Sequence, residues 1–182
     1  MSLAETLELF KPSDAEEAAD LETMRRFLLA HPEPFDRRIL EGHFTASALV
    51  LTGSGRRVLL LFHKKLGRWL QPGGHAEPGE SEGTTVALRE AREETGIRSL
   101  VLHGDAPRPL DIDVHDIPLR GTEPAHLHLD LRYLVLAPED AVLVRAHDEA
   151  ADLRFFEWSE LQGLGLDHGL VRALRKARAF FP

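Results

Sequence analysis

Cysteine is absent from all 182 residues. That excludes a disulfide framework, a thiol nucleophile and a thiolate metal site. No apolar run approaches the length of a membrane span, and the N-terminus lacks a secretory h-region. The cytoplasm is therefore the expected location, with no membrane partner. Basic charge is also scarce: 22 Lys and Arg stand against 30 Asp and Glu, a net charge of −8. A general binder of nucleic-acid polymers would show a basic face, so that partner is not expected. Hydrophobic residues make up 43% of the chain, enough for one real core with a small appendage.

The chemistry concentrates in one stretch. A loop, Gly73-Gly74-His75-Ala76-Glu77-Pro78-Gly79-Glu80, runs into Arg89-Glu90-Ala91-Arg92-Glu93-Glu94-Thr95-Gly96-Ile97. Thr84 to Glu94 contains neither Gly nor Pro and reads as a helix, with Ser81 or Thr84 as N-cap and Gly96 at its C-terminal end. Positions three and four apart are neighbours on a helix, so Glu90, Glu93 and Glu94 crowd together, and like charges so placed repel. The crowding becomes favourable if hard cations lie between the carboxylates, since Mg²⁺ and Mn²⁺ take oxygen ligands. Arg89 is four residues before Glu93 and can orient it. A solvated face of Arg–Glu pairs is the plainer explanation of the helix alone. The glycine loop tips the balance, because it lets backbone approach a ligand closely.

These residues resemble the signature box of the Nudix hydrolases, which cleave nucleoside diphosphates linked to another moiety. Gly74 and Glu80 have the box's spacing. Arg89, Glu90, Ala91, Glu93, Glu94, Gly96 and Ile97 match its second half. Eight residues rather than seven separate Glu80 from Arg89, read here as a one-residue insertion around Ser81-Glu82-Gly83. The resemblance implies an α/β/α Nudix sandwich with a mixed β-sheet over roughly residues 43–180. It also implies Mg²⁺- or Mn²⁺-assisted hydrolysis of a phosphoanhydride in a nucleotide-derived small molecule. In that reading Glu90 and Glu94 are metal ligands. Glu93 is a ligand through water or the general base, Arg89 orients a glutamate, and Gly74 gives a backbone carbonyl to a metal. Many Nudix proteins place a further acid in a late loop as ligand or base, and Glu149 is preferred here over Asp148. Marks of particular substrate classes are missing: Pro109 and Pro118 are off register, and the only tyrosine, Tyr133, lies far beyond the box. Two other readings share the fold. One is a nucleotide sensor without catalysis. The other is an isomerase of the isopentenyl diphosphate type, which relies on a cysteine that this chain lacks.

The remaining sequence supplies the layers. Ser13-Asp14-Ala15-Glu16 reads as a capping box opening a helix with apolar Ala18, Leu21, Met24 and Leu28, ending before His31-Pro32. Residues 1–40 are thus expected to form an N-terminal helical extension on a Nudix domain spanning 41–182. The stripe is read as core packing, with homodimerisation as its alternative role. Strands are expected at His43–Leu51, Arg56–His63, Ile97–His103, Asp111–Pro118, His126–Ala137 and Arg154–Trp158. The apolar run Val58 to Phe62 suggests burial on both faces. A brief helix begins at Ser159, and Asp167 caps a last one with Leu170, Val171, Leu174 and Ala177 inward. Strands, one helix, more strands and a terminal helix make a mixed sheet between helices.

Strand alternation places His126, His128, Asp130 and Arg132 on one face and leucines on the other. Three readings are open: a zinc site, the solvent-facing half of an amphipathic strand, or a polar face that borders the phosphate site and contacts substrate. The third is preferred. His75, directly after the glycine pair, joins it as a candidate substrate contact. Trp69 is expected to pack under the loop rather than stack on a base.

Overall fold

The computed structural model describes residues 2–106, 108–119, 121–122, 124–144 and 150–181. Two helices, α1 (Leu3–Leu9) and α2 (Ala15–Ala30), precede the strands β1 (Gly42–Thr52), β2 (Arg57–His63), β3 (Arg68–Leu70) and β4 (Gly73–His75). Then follow α3 (Gly83–Thr95), β5 (Val101–Leu102), β6 (Asp111–Ile117), β7 (His126–Ala137), β8 (Ala150–Glu157), a 3₁₀ turn (Leu161–Gly163) and α4 (His168–Arg178). Among the described residues no helix is long and apolar enough to cross a membrane.

The strands form one curled, mixed sheet. β1 runs parallel to β7 from the pair Gly42–Leu127 to the pair Thr52–Ala137. The other pairings are antiparallel: β2 with β1, β3 and β8, β4 with β1, and β5 and β6 with β7. Alternation along β1 and β7 then divides the core in two. Phe44, Ala46, Ala48, Val50, Leu129, Leu131 and Val135 pack with Leu7 of α1, Leu21 and Met24 of α2, and Val86, Ala87 and Ala91 of α3. Leu49, Leu51, Val58, Leu60, Leu134 and Phe156 face the other way, onto Leu170, Ala173, Leu174 and Ala177 of α4. Each large apolar side chain so buried stabilises the fold by about 1.5–3 kcal/mol. The α/β/α sandwich and mixed sheet expected from the sequence are both present.

Local differences have identifiable causes. Asp14, not Ser13, is the N-cap of α2: its carboxylate accepts from the Glu17 amide at 2.9 Å, and the Glu17 carboxylate accepts from the Ser13 amide at 2.6 Å. The expected Ser13–Glu16 box is thus replaced by an Asp14 cap, with Glu17 reaching back one residue beyond the cap. Leu21 and Met24 are buried as expected, while Ala18 is exposed. Helix α3 starts from Glu82 with no side-chain cap, rather than from Ser81 or Thr84, and its first residue, Gly83, leaves no room for a Cβ beside the Tyr133 hydroxyl. Gly96 ends it with φ +72°, the left-handed position that favours glycine. The strand expected at Ile97–His103 shrinks to Val101–Leu102, because Ile97 and Leu100 serve as buried anchors instead. Val171 is 48% exposed, since the inward face of α4 is 170, 173, 174 and 177, and 171 lies about a quarter-turn away. The segment Arg68–Leu70, unassigned in the sequence reading, is a strand on β2.

Candidate active site

The site starts from the pairing of β4 with β1. Gly73 lies opposite Ser47, Gly74 opposite Ala46 and His75 opposite Thr45, so the glycine strand is laid across β1 beside α3. The contact is too close for side chains. A Cβ on Gly73 would lie 2.6 Å from Ser47 Cα, and one on Gly74 would lie 2.6–2.9 Å from the atoms of the Glu90 carboxylate. Glu94 accepts a hydrogen bond from the Gly73 amide at 2.9 Å. Both glutamates expected to be ligands are thus half-buried and turned toward the glycine strand rather than toward bulk water.

Arg89 organises the acids. Its guanidinium donates to Glu80 through Nε (3.0 Å) and Nη2 (2.9 Å), to Glu90 at 3.0 Å, to Glu93 at 3.2 Å, and to the carbonyl of His75 at 2.7 Å. These hydrogen bonds hold the Glu80 carboxyl below its ordinary range. Glu80 therefore reaches Arg89 despite the extra residue between them. Arg89, Glu80 and Glu90 are all less than a fifth exposed at the side chain, whereas Glu93 is 44% exposed. A set of carboxylates around one guanidinium, against the two glycines of β4, suits a hard divalent cation by its oxygen donors.

The polar face of β7 is not the solvent-facing half of a strand. Asp130 is 4% and Arg132 3% exposed. Asp130 accepts from Thr45 Oγ1 at 3.0 Å and Ser47 Oγ at 2.6 Å, and Arg132 pairs with Asp113 at 2.9 Å and Asp130 at 3.3 Å. Behind them, Arg172 of α4 grips Asp111 through two bonds of 2.9 and 3.1 Å. Lys176 reaches Asp111 at 2.9 Å and also pairs with Glu17 of α2. Burial raises the Asp113 carboxyl, but the His115 hydrogen bond and the Arg132 and Arg172 charges outweigh it and hold Asp113 at about 2.

Register produces a row of histidines at the open end of this face. His128 stands opposite His43 of β1 on one side and His115 of β6 on the other. His75 approaches from β4, its Nε2 3.2 Å from His128 Nε2. Burial, then the neighbouring imidazoles, push His128 down to about 2 and keep it neutral. His75 and His128, candidates from the sequence, meet here; Asp130 and Arg132 lie deeper in the same face. Trp69 packs edge-on against Phe156, with ring centroids 4.7 Å apart, as a packing residue would. Asp148 and Glu149 lie outside the described residues. The sequence reading missed His43 and His115, each an isolated histidine in its strand, because only the pairing of β7 with β1 on one side and β6 on the other brings them beside His128. It also missed the ion network on Asp111 and Arg172.

The NUDIX domain family model matches residues 42–177. The chain belongs to the NUDIX family, and its domain is that of the Nudix hydrolases. Solved structures agree on the fold. A NUDIX-family hydrolase from Clostridium perfringens is similar at 22% identity and TM-score 0.61, over 76% of this chain and 97% of that one. An Ap4A hydrolase from C. elegans is similar at 21% and 0.57, over 75% and 96%. The NUDIX domain of Shewanella oneidensis NrtR, complexed with ADP ribose, is similar at 17% and 0.55, over 84% and 96%.

Proposed function

We propose that the protein hydrolyses a phosphoanhydride bond in a nucleoside diphosphate linked to another moiety, with Mg²⁺ or Mn²⁺. The reading rests on the Glu90 and Glu94 carboxylates held against the Gly73–Gly74 strand, with Arg89 tying Glu80, Glu90 and Glu93 together. Glu90 and Glu94 would hold the cation, helped by Glu93 and the Gly74 carbonyl. When bound, such an ion neutralises charge on the phosphate oxygens and lowers the pKa of water. Glu93, the most exposed of the three helical acids, takes the proton of the attacking water on its carboxylate. The new bond joins water oxygen to phosphorus, the bridging P–O bond breaks, and the leaving phosphate keeps its electron pair. Arg89 fixes where the Glu93 carboxylate stands. Glu149 is a further candidate base on the late loop.

His75 and His128 border the substrate, while Asp130 and Arg132 hold that face rigid from beneath. Residues 1–40 are an extension onto the catalytic domain of 41–182, and the protein acts in the cytoplasm. A panel of nucleoside diphosphate derivatives, followed by ³¹P NMR with Mg²⁺, tests the proposal. At least one compound should be split into a nucleoside monophosphate and a phosphorylated remainder. Tight nucleotide binding without turnover across the panel would replace hydrolysis with nucleotide sensing.

A further inference from the structure

Five imidazoles crowd one end of the sheet face. His43 lies 4.9 Å from His128 and 5.0 Å from His75, centroid to centroid, and His75 lies 4.8 Å from His128. His126 stacks on His43 at 5.1 Å, and His115 lies 5.5 Å from His128. Same-face neighbours on adjacent strands are about 5 Å apart, so register imposes this spacing. Apolar side chains would fill such a face more cheaply. Imidazoles each bring a lone pair that must be matched when buried.

One group of three among the described residues gathers potential metal-ligand atoms within 4.8 Å of one another: His43, His75 and His128. Two imidazole nitrogens bound tetrahedrally to zinc at about 2.0–2.1 Å are necessarily about 3.3 Å apart. The His75 Nε2 to His128 Nε2 separation is 3.2 Å. A second observation is independent of that spacing. His126 is 8% exposed and its Nδ1 meets the Pro124 carbonyl at 2.9 Å, so Nδ1 carries the proton and Nε2 the lone pair. That buried Nε2 has no hydrogen-bond partner among the described residues, at the edge of the same cluster. A buried acceptor without a donor costs free energy, and a cation or its bound water answers that need.

We propose that His43, His75 and His128 form a transition-metal site, selective for zinc-like ions over Mg²⁺, distinct from the carboxylate site on α3. Neutral imidazole suits zinc and its neighbours, whereas magnesium takes oxygen. Three histidines are the ligand set of zinc sites that keep a fourth position for water or substrate. His126 stands beside that set as the partner of a metal-bound water. The two sites are joined through one residue, since the His75 carbonyl accepts from Arg89. The histidine site would thereby steady the strand that carries Gly74.

The test uses the whole chain, stripped of metal by chelator and titrated with Zn²⁺ alone. Wild type should bind a single zinc ion per chain, and X-ray absorption at the zinc edge should report nitrogen ligands at about 2.0–2.1 Å. Glu90→Gln and Glu94→Gln should retain this binding. His75→Gln and His128→Gln should each weaken it by at least about a hundredfold. Failure of a histidine variant to fold leaves the wild-type absorption spectrum as the deciding measurement. Absence of zinc binding, an all-oxygen ligand shell, or binding lost with the glutamates but kept without the histidines would each overturn the proposal. None of these outcomes touches the hydrolytic reading, whose readout is phosphate chemistry.

Discussion

The two glycines of β4 should fail in opposite ways when given a methyl group. At Gly74 the new Cβ would meet the Glu90 carboxylate at 2.6–2.9 Å. Ordinary carbon contact begins near about 3.5 Å, so the carboxylate must retreat by about 1 Å. It is the far end of a flexible side chain and can do so. The lost backbone freedom of the unfolded chain offsets the strain by about 0.4–1 kcal/mol. Gly74→Ala should therefore fold with stability within about 1 kcal/mol of wild type. A misplacement of about 1 Å in a reacting constellation costs on the order of a hundredfold in rate. That is about 2.7 kcal/mol of barrier. At Gly73 the Cβ would instead strike Ser47, 2.6 Å from its Cα, and come 2.9 Å from the Ala46 carbonyl. Backbone in a central strand cannot retreat, so Gly73→Ala should lose about 3 kcal/mol or more of stability. Urea denaturation with steady-state kinetics on one substrate separates the two. Full activity in Gly74→Ala, or the same loss of stability in both variants, would rule out these two contacts as the cause.

Three further outcomes follow from the same contacts. Arg172→Leu should destabilise by about 1.5–3 kcal/mol, because buried Asp111 loses its two-bonded partner and keeps only Lys176 and Arg132, while Asp111→Leu/Arg172→Leu should recover part of the loss. Chemical denaturation of the three proteins checks this, and equal losses in single and double variants would contradict it. Asp113, held at about 2 against an ordinary 3.8, binds its proton later in the folded state than in the unfolded state as pH falls. Its contribution, on the order of 2 kcal/mol, is thus complete above about pH 4 and lost between about pH 4 and 2. Asp113→Asn should flatten that part of the stability–pH curve. Arg89→Lys keeps the charge but cannot span Glu80, Glu90, Glu93 and the His75 carbonyl together. It should lower kcat by at least about tenfold with little change in Tm, and unchanged kcat would show that the fork is dispensable.

Local pattern and fixed spacing made some features readable in advance. Helix α3 was legible because its sequence lacks breakers and Gly96 sits at its end. The helical acids were legible because neighbours on a helix are set by number alone. β7 was legible because its first seven residues, His126 to Arg132, alternate polar with leucine and an unbroken apolar run follows. What could not be read depends on pairing between distant segments. His43 and His115 are unremarkable until β1, β6 and β7 are laid side by side. Asp111 and Arg172 meet only once α4 lies on the sheet, and nothing local distinguishes Arg172 from a solvated helical arginine. The extra residue before Gly83 cast Glu80 out of register on paper. Arg89 is long enough to reach Glu80 regardless.

Glu94→Gln decides whether the α3 carboxylates serve phosphoanhydride hydrolysis. The amide oxygen of Gln can still accept from the Gly73 amide, so the fold should persist while one negative ligand is removed. With Mg²⁺ and a substrate that wild type turns over, the variant should lose about a thousandfold or more in kcat. Equal turnover by the two proteins would mean that Glu94 holds no catalytic cation.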